Sequence, residues 1–150
     1  MNQEKDTFLK ALHDNILELP FHRFLGLNSD CFDMEKGCIR FDMRDELVGN
    51  SHFKSLHGGV IASILDAEGG FVLIMDGAWR PETSSPAKTP IIKGGTIDLR
   101  IDYLRPGRGK HFVASGTILR HGNKVAVVHT ELRNEQDELI ATGTGTYLVG

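Results

Sequence analysis

The stretch Leu56-His57-Gly58-Gly59-Val60-Ile61-Ala62-Ser63-Ile64-Leu65-Asp66-Ala67-Glu68-Gly69-Gly70 runs from a tight turn into a helix that carries a carboxylate. Gly58 and Gly59 have no Cβ, so their backbone N–H groups can come close to a ligand. A helix that starts there points its first, unpaired N–H groups and its positive dipole end at that ligand. Asp66 follows about two turns later, too deep to be a cap. At 100° per residue Val60, Ile61, Ile64, Leu65, Phe71, Val72 and Met75 share one broad arc. Asp66 lies on the other side with Ala62, Ser63, Gly69 and Gly70, a small-residue face that something approaches closely. Glu68 falls inside the apolar arc. It points away from Asp66 because residues two apart on a helix do not face each other, so it is expected to reach a helix edge or a buried partner.

A donor-rich turn and a mid-helix acid suit acyl transfer, where an oxyanion is held and a water or carbonyl is attacked. The same spacing also suits a helix–helix or subunit contact with Asp66 as a satisfied polar group. From the spacing alone both readings stand.

Outward from this helix, Asp6 to Leu19 has the period of an amphipathic helix, with Phe8, Leu9, Leu12, Ile16 and Leu17 as its apolar set and Pro20 ending it. A first strand is expected over roughly 26–33, a turn at Glu35-Lys36-Gly37, and a second strand over Cys38 to Arg44, which together form an antiparallel hairpin. Asp45 to Ser55 is a polar approach to the central turn. The helix itself is expected from about Gly59 to Met75. Asp76 to Pro90, with Trp79, reads as a long loop that is either a flap or plain surface. Four strands follow, over Ile91–Leu104, His111–Arg120, Lys124–Arg133 and Leu139–Leu148. Turns fall at Pro106-Gly107, His121-Gly122-Asn123 and Asn134 to Asp137. The order predicts a single α+β domain over residues 1–150, in which an antiparallel sheet curls around one long helix.

The 150 residues suffice for one domain with a real core. A net charge of −3 and a pI of about 6.1 argue against nucleic-acid binding. Cys31 and Cys38 fit no zinc spacing, and reduced thiols are expected. No signal-peptide pattern opens the chain, and the longest apolar run, Phe71 to Met75, is far short of a membrane span. A cytoplasmic protein without membrane association is expected. The seven histidines show no metal-ligand spacing, and neither a nucleophile elbow, a P-loop nor a dinucleotide fingerprint occurs. The chemistry must then come from a carboxylate, backbone groups and small polar side chains, with no metal and no bound cofactor, which narrows an enzyme to activated ester or thioester substrates.

Several pieces together carry a family resemblance. They are Pro20-Phe21 with Leu25-Gly26, Asn50, Leu56-His57-Gly58-Gly59 with Leu65-Asp66, Asp98 to Pro106 with its Tyr103-Leu104-Arg105-Pro106, and Gly122. In these the chain resembles the hotdog-fold acyl-CoA thioesterases of the PaaI-like, phenylacetate-thioesterase group. The resemblance implies a curved antiparallel sheet wrapped around a long helix. It also implies a homo-oligomer, a dimer and often a dimer of dimers, with active sites at the dimer interface. Asp66 then matches the catalytic acid, as general base or nucleophile, and Gly58 the backbone donor that polarises the thioester carbonyl. His57 and Asn50 match residues that orient carbonyl or water, and Thr96 matches a Ser/Thr near the water on the partner subunit. The Asn50–His57 spacer is one residue longer than in familiar members, which leaves Ser51 and His52 as alternatives to Asn50.

Coenzyme A, part of the substrate and not a cofactor, needs cations for its phosphates. Arg105, Arg108, Lys110, Arg120 and Lys124 lie around two turns and are candidates. Gly59, Gly122 and Asn123 are expected near the substrate. Phe53, Phe71, Met75 and Trp79 are candidate pocket walls, although core packing suits Phe71 and Met75. Two other readings remain: a non-catalytic acyl-CoA sensor or carrier, and a hotdog dehydratase or hydratase, whose Asp, Asn and His pattern is absent.

Overall fold

The computed structural model describes residues 3–31, 38–78 and 95–150. Helix α1 (Gln3–Leu17) and helix α2 (Pro20–Leu25) come first, followed by β1 (Ile39–Asp42). A small hairpin, β2 (Val48–Asn50) and β3 (Ser55–Leu56), leads directly into α3 (Gly58–Ala78). The strands β4 (Thr96–Tyr103), β5 (His111–His121), β6 (Val125–Asn134) and β7 (Leu139–Leu148) complete the chain. The five long-range strands form one antiparallel sheet in the order β1-β5-β6-β7-β4.

The sheet wraps α3 because its inner face alternates in register with the apolar arc of that helix. Ile39, Phe41, Phe112, Ala114, Leu132, Ile140 and Ala141 bury against Ile61, Ile64 and Leu65. Ile64 and Leu65 are fully buried, so truncating either to Ala is expected to cost roughly 2–5 kcal/mol. The α3 helix is apolar and long enough to cross a membrane by length and composition, but here it is the core of the sheet. Mean hydropathy over the helix stays high because Gly and Ala interrupt the large residues without adding charge.

Three expectations are revised. Pro20 does not merely end α1; it opens α2, as a proline at the first helical position can. Gly26, in the left-handed region at φ 73°, closes α2, and the Leu27 N–H returns to the His22 carbonyl at 3.1 Å. Residues 26–31 are consequently not a strand, and Asn28 meets Arg40 in a single antiparallel bridge. That bridge brings the Cα atoms of Cys31 and Cys38 to 6.0 Å, with the two sulfurs side by side and within reach of a disulfide, where separate thiols were expected. The turn at Glu35-Lys36-Gly37 lies outside the described residues. So do Trp79 and most of the expected loop, while Asp76 to Ala78 belong to α3.

The α1 helix packs over α3. Leu9, Leu12 and Leu17 are buried. His13 is fully buried too, edge-on to Phe71 at 4.6 Å, with Nε2 3.3 Å from the Cys38 carbonyl. Burial lowers the His13 pKa, which favours the neutral ring.

Candidate active site

The two ends of the opening stretch carry different chemistry. At the first end His57 caps α3 through its carbonyl, which accepts from the Val60 N–H at 3.0 Å and more weakly from Ile61 at 3.3 Å. The His57 N–H is held by the Leu47 carbonyl at 2.8 Å, and the Leu56 N–H by the Gly107 carbonyl at 2.9 Å. Gly49 lets β2 cross directly over His57: a Cβ there would sit 2.4 Å from the His57 Cα.

The peptide unit between Gly58 and Gly59 is clamped at both ends. Its carbonyl accepts from the Tyr103 hydroxyl at 3.1 Å, and its N–H donates to His57 Nδ1 at 2.8 Å. Because Nδ1 accepts, a neutral His57 ring carries its hydrogen on Nε2, free to donate outward. The Gly58 N–H is the first amide of the helix and has no partner inside it.

A cavity of about 430 Å³ opens at this end, lined among others by Asn50, Phe53, Gly58, Tyr103 and Arg105. Asn50 Oδ1 accepts from the His52 and Phe53 N–H groups at 3.1 and 3.3 Å, which shapes the 50–53 turn. Asn50 lines the cavity while Ser51 and His52 do not. Arg108 places its guanidinium 5.0 Å from the centre of the Phe53 ring.

At the second end Asp66 is half-buried, and its Oδ1 accepts from the Thr96 hydroxyl at 2.7 Å. Thr96 therefore holds the acid of its own chain. Tyr147 donates its hydroxyl to the Asp66 backbone carbonyl at 3.2 Å, and burial raises its pKa, with help from the nearby Asp66 charge. Tyr147 can pass there because Gly69 lies beneath it; a Cβ at Gly69 would collide with the phenol. Beside Asp66 a second cavity of about 360 Å³ opens along Ala67, Gly70 and Ile74.

Glu68 points the other way and is fully buried. Neither of its carboxyl oxygens has a hydrogen-bond partner among the described residues. Burial pushes its pKa well above the usual carboxylate range, with little opposition from the nearby Ile39 backbone. Burial thus favours its neutral form, in the core and away from Asp66.

Gly58 and Asp66 are eight residues apart on one straight helix, about 12 Å along its axis. A donor to a carbonyl and a base for the attacking water must both lie within about 3 Å of the reacting atoms. One chain therefore keeps the two ends apart. Gly58, Gly59, His57, Asn50, Arg105 and Arg108 gather at the first. Asp66 and Thr96 make the second. The turn with Gly122, Asn123 and Lys124 belongs near the second half, since Val149 bonds to Lys124 and Leu148 to Gly95, the neighbour of Thr96. Arg120 precedes this turn near the end of β5. The expected cations are thus split between opposite ends of the sheet. Phe71 and Met75 pack in the second apolar cluster, and Phe71 also borders the second cavity. Among the described residues no group of three or more His, Cys, Asp or Glu side chains is placed to hold a metal ion.

Sequence reasoning missed Tyr103 and Tyr147 as parts of the site. Tyr103 stood within the quoted Tyr-Leu-Arg-Pro stretch, a signal that could have singled it out. Tyr147 carried none, since its role depends on Gly69, distant in sequence.

A curved antiparallel sheet around a central helix, with a donor turn at the helix start and a carboxylate two turns on, defines a hotdog-type thioester-hydrolase architecture. Residues 53–141 match the family model described as the thioesterase superfamily, and the chain belongs to that family as a hotdog-fold thioester hydrolase. It is 44% identical over 137 residues to a medium/long-chain acyl-CoA thioesterase, YigI, of Escherichia coli K12, covering 90% of this chain and 88% of the relative. A crystal structure from Shewanella oneidensis, of a protein related to the thioesterase superfamily, superposes with a TM-score of 0.84 at 40% identity over 100% of both chains. The E. coli PaaI protein of the phenylacetic acid degradation operon shares the fold, with a TM-score of 0.75 at 18% identity over 97% of this chain and 95% of that one.

Proposed function

We propose that the protein hydrolyses acyl-CoA thioesters in a site completed by two copies of the chain, with Gly58 of one facing Asp66 of the other. The observation that carries this reading is the distance of about 12 Å between donor turn and acid within one chain. Strand β4 supports a way to close it. It is the edge of the sheet, with the Thr96–Asp66 pair at its start and the Tyr103–Gly58 contact at its end. Antiparallel pairing of β4 with its own copy about a two-fold axis lays the start of one strand beside the end of the other. The same pairing brings the cations of one chain's 105–108 turn towards Arg120 and Lys124 of the second, where the phosphates of coenzyme A need positive charge.

In this site the thioester carbonyl oxygen sits at the Gly58 N–H, where the helix N-terminus stabilises the developing oxyanion. His57 Nε2 and Asn50 orient the carbonyl or the water. Asp66, held by Thr96, removes a proton from water as the water oxygen bonds to the acyl carbon. The C–S bond then breaks, and the departing sulfur takes the proton. The products are a carboxylic acid and free coenzyme A, with no cofactor required. Attack by Asp66 itself would give an anhydride first, and single-turnover hydrolysis in ¹⁸O-water, followed by mass spectrometry of the Asp66 peptide, separates the two routes. The similarity to the E. coli thioesterase supports acyl-CoA as the substrate class.

The test is release of free thiol from short, medium, long and aryl acyl-CoAs by wild type and Asp66→Asn. Turnover that falls roughly 10²–10⁴-fold in the variant supports the reading. Binding of acyl-CoA without turnover by either form would instead favour a sensor or carrier.

A further inference from the structure

We infer that the cavity beside Asp66 is the seat of a flexible hydrocarbon chain, and that Gly70, with Leu19 on the facing wall, sets how long a chain the protein accepts. This deepens the proposed hydrolysis and rests on it for the identity of the reacting group.

The cavity has one polar end and an apolar length. Asp66 and Thr96 mark the polar end. From there Ala67, Gly70 and Ile74 continue along one stripe of α3 for about 12 Å, two helical turns. The facing wall comes from the junction of α1 and α2, with Ile16 and Leu19. His22, the other polar side chain at that junction, is turned to the backbone: its Nδ1 lies 2.8 Å from the Ile16 carbonyl. A ligand here is therefore polar where it meets Asp66 and apolar beyond, as an acyl chain is.

Gly70 is the narrow point of control. The two glycines of the small face behave differently: Gly69 is covered by Tyr147, whereas a Cβ built on Gly70 meets nothing within 4 Å among the described residues. A side chain there would enter the cavity one turn beyond Asp66 without striking the protein. A larger residue is also better than glycine inside a helix, so the cavity can be filled without opposing the fold.

The experiment measures Kd for a series of S-alkyl-CoA thioethers, which cannot be hydrolysed, and kcat/KM for the matching acyl-CoAs. Wild type should bind more tightly by roughly fourfold per added methylene until the cavity is full. Gly70→Leu should lower the long-to-short affinity ratio by about tenfold or more. Leu19→Trp, on a half-exposed position, should lower it for the longest chains, and it carries the test if Gly70→Leu does not fold. Gly77→Leu is the control: Gly77 is also in α3 with open space in front of it and lies outside the cavity. An affinity ratio unmoved by Gly70→Leu and Leu19→Trp, or moved equally by Gly77→Leu, overturns the inference whether or not the acyl-CoAs are cleaved. Absence of all turnover with a ratio that still responds to Gly70→Leu and Leu19→Trp would overturn the proposed hydrolysis and uphold the chain-binding role.

Discussion

The two ends of the Gly58–Asp66 segment differ in what supplies their chemistry. The Gly58 end is built from backbone: a clamped peptide, a helix N-terminus and a histidine whose tautomer the backbone fixes. The Asp66 end is built from side chains, a carboxylate tied to a hydroxyl at the mouth of an apolar cavity. In the proposed reaction neither end suffices alone, since one supplies the donors and the other the base. In the proposed two-chain site the helix is a spacer: it keeps donor turn and acid about 12 Å apart along its axis and offers each to the opposite half of a copy.

Removing either half should have the largest effect. Gly58→Pro deletes the N–H proposed to polarise the carbonyl while leaving a residue tolerated at the first helical position. A Cβ there comes to 3.3 Å of Tyr103, a contact the ring can relieve by a small shift. The expected loss in kcat is roughly 10²–10³-fold, read by thiol release, and it is comparable to the loss in Asp66→Asn.

Tyr103→Phe sharpens the contrast, because it loosens the backbone half without touching the acid. It deletes one hydrogen bond to the Gly58 carbonyl, worth about 1 kcal/mol. A fall of about fivefold in kcat is expected, with KM and melting temperature near wild type. A change in KM alone would assign Tyr103 to substrate binding instead of to positioning the donor turn. Thr96→Val is the matching change at the acid half. Loss of its hydroxyl from Asp66 should lower kcat by a similar factor, since the hydrogen bond that holds the carboxylate is gone.

The smallest effect on activity is expected at Glu68, whose carboxyl faces the core. Its folded-state pKa lies well above the ordinary 4.5, so the protonated form is favoured on folding. The stability it allows is full below about pH 4.5 and falls as pH rises, by at most ~1.4 kcal/mol per pH unit, until the folded-state pKa is passed. Glu68→Gln removes that slope. Its melting temperature should exceed that of wild type by a margin that grows from pH 5 to pH 8, with kcat little changed.

Much of this was legible in the chain itself. The apolar arc of α3 and the alternation of β4 to β7 specify helix and sheet because one buried face imposes one period. The donor turn and Asp66 were legible because glycines before a helix and a mid-helix acid are costly without a use. The segment around Pro20 to Asn28 was misread, since proline both ends one helix and starts another, and the sequence alone does not choose. The nearness of Cys31 and Cys38 was not legible because it depends on the approach of Asn28 to Arg40, a tertiary contact. A site shared between two chains was already implied by the family resemblance, and the eight-residue spacing of Gly58 and Asp66 on one helix, about 12 Å of rise, agrees with it.

The most direct measurement of the two-chain site is complementation. Gly58→Pro and Asp66→Asn chains are co-expressed with different tags, and the mixed dimer is purified through both. Each such dimer has one intact site, Gly58 of the Asp66→Asn chain facing Asp66 of the Gly58→Pro chain, and one site that lacks both groups. The account predicts about half of wild-type activity per dimer, although each variant alone is nearly inactive. A mixed dimer no more active than its parents would contradict it and place the reaction within a single chain.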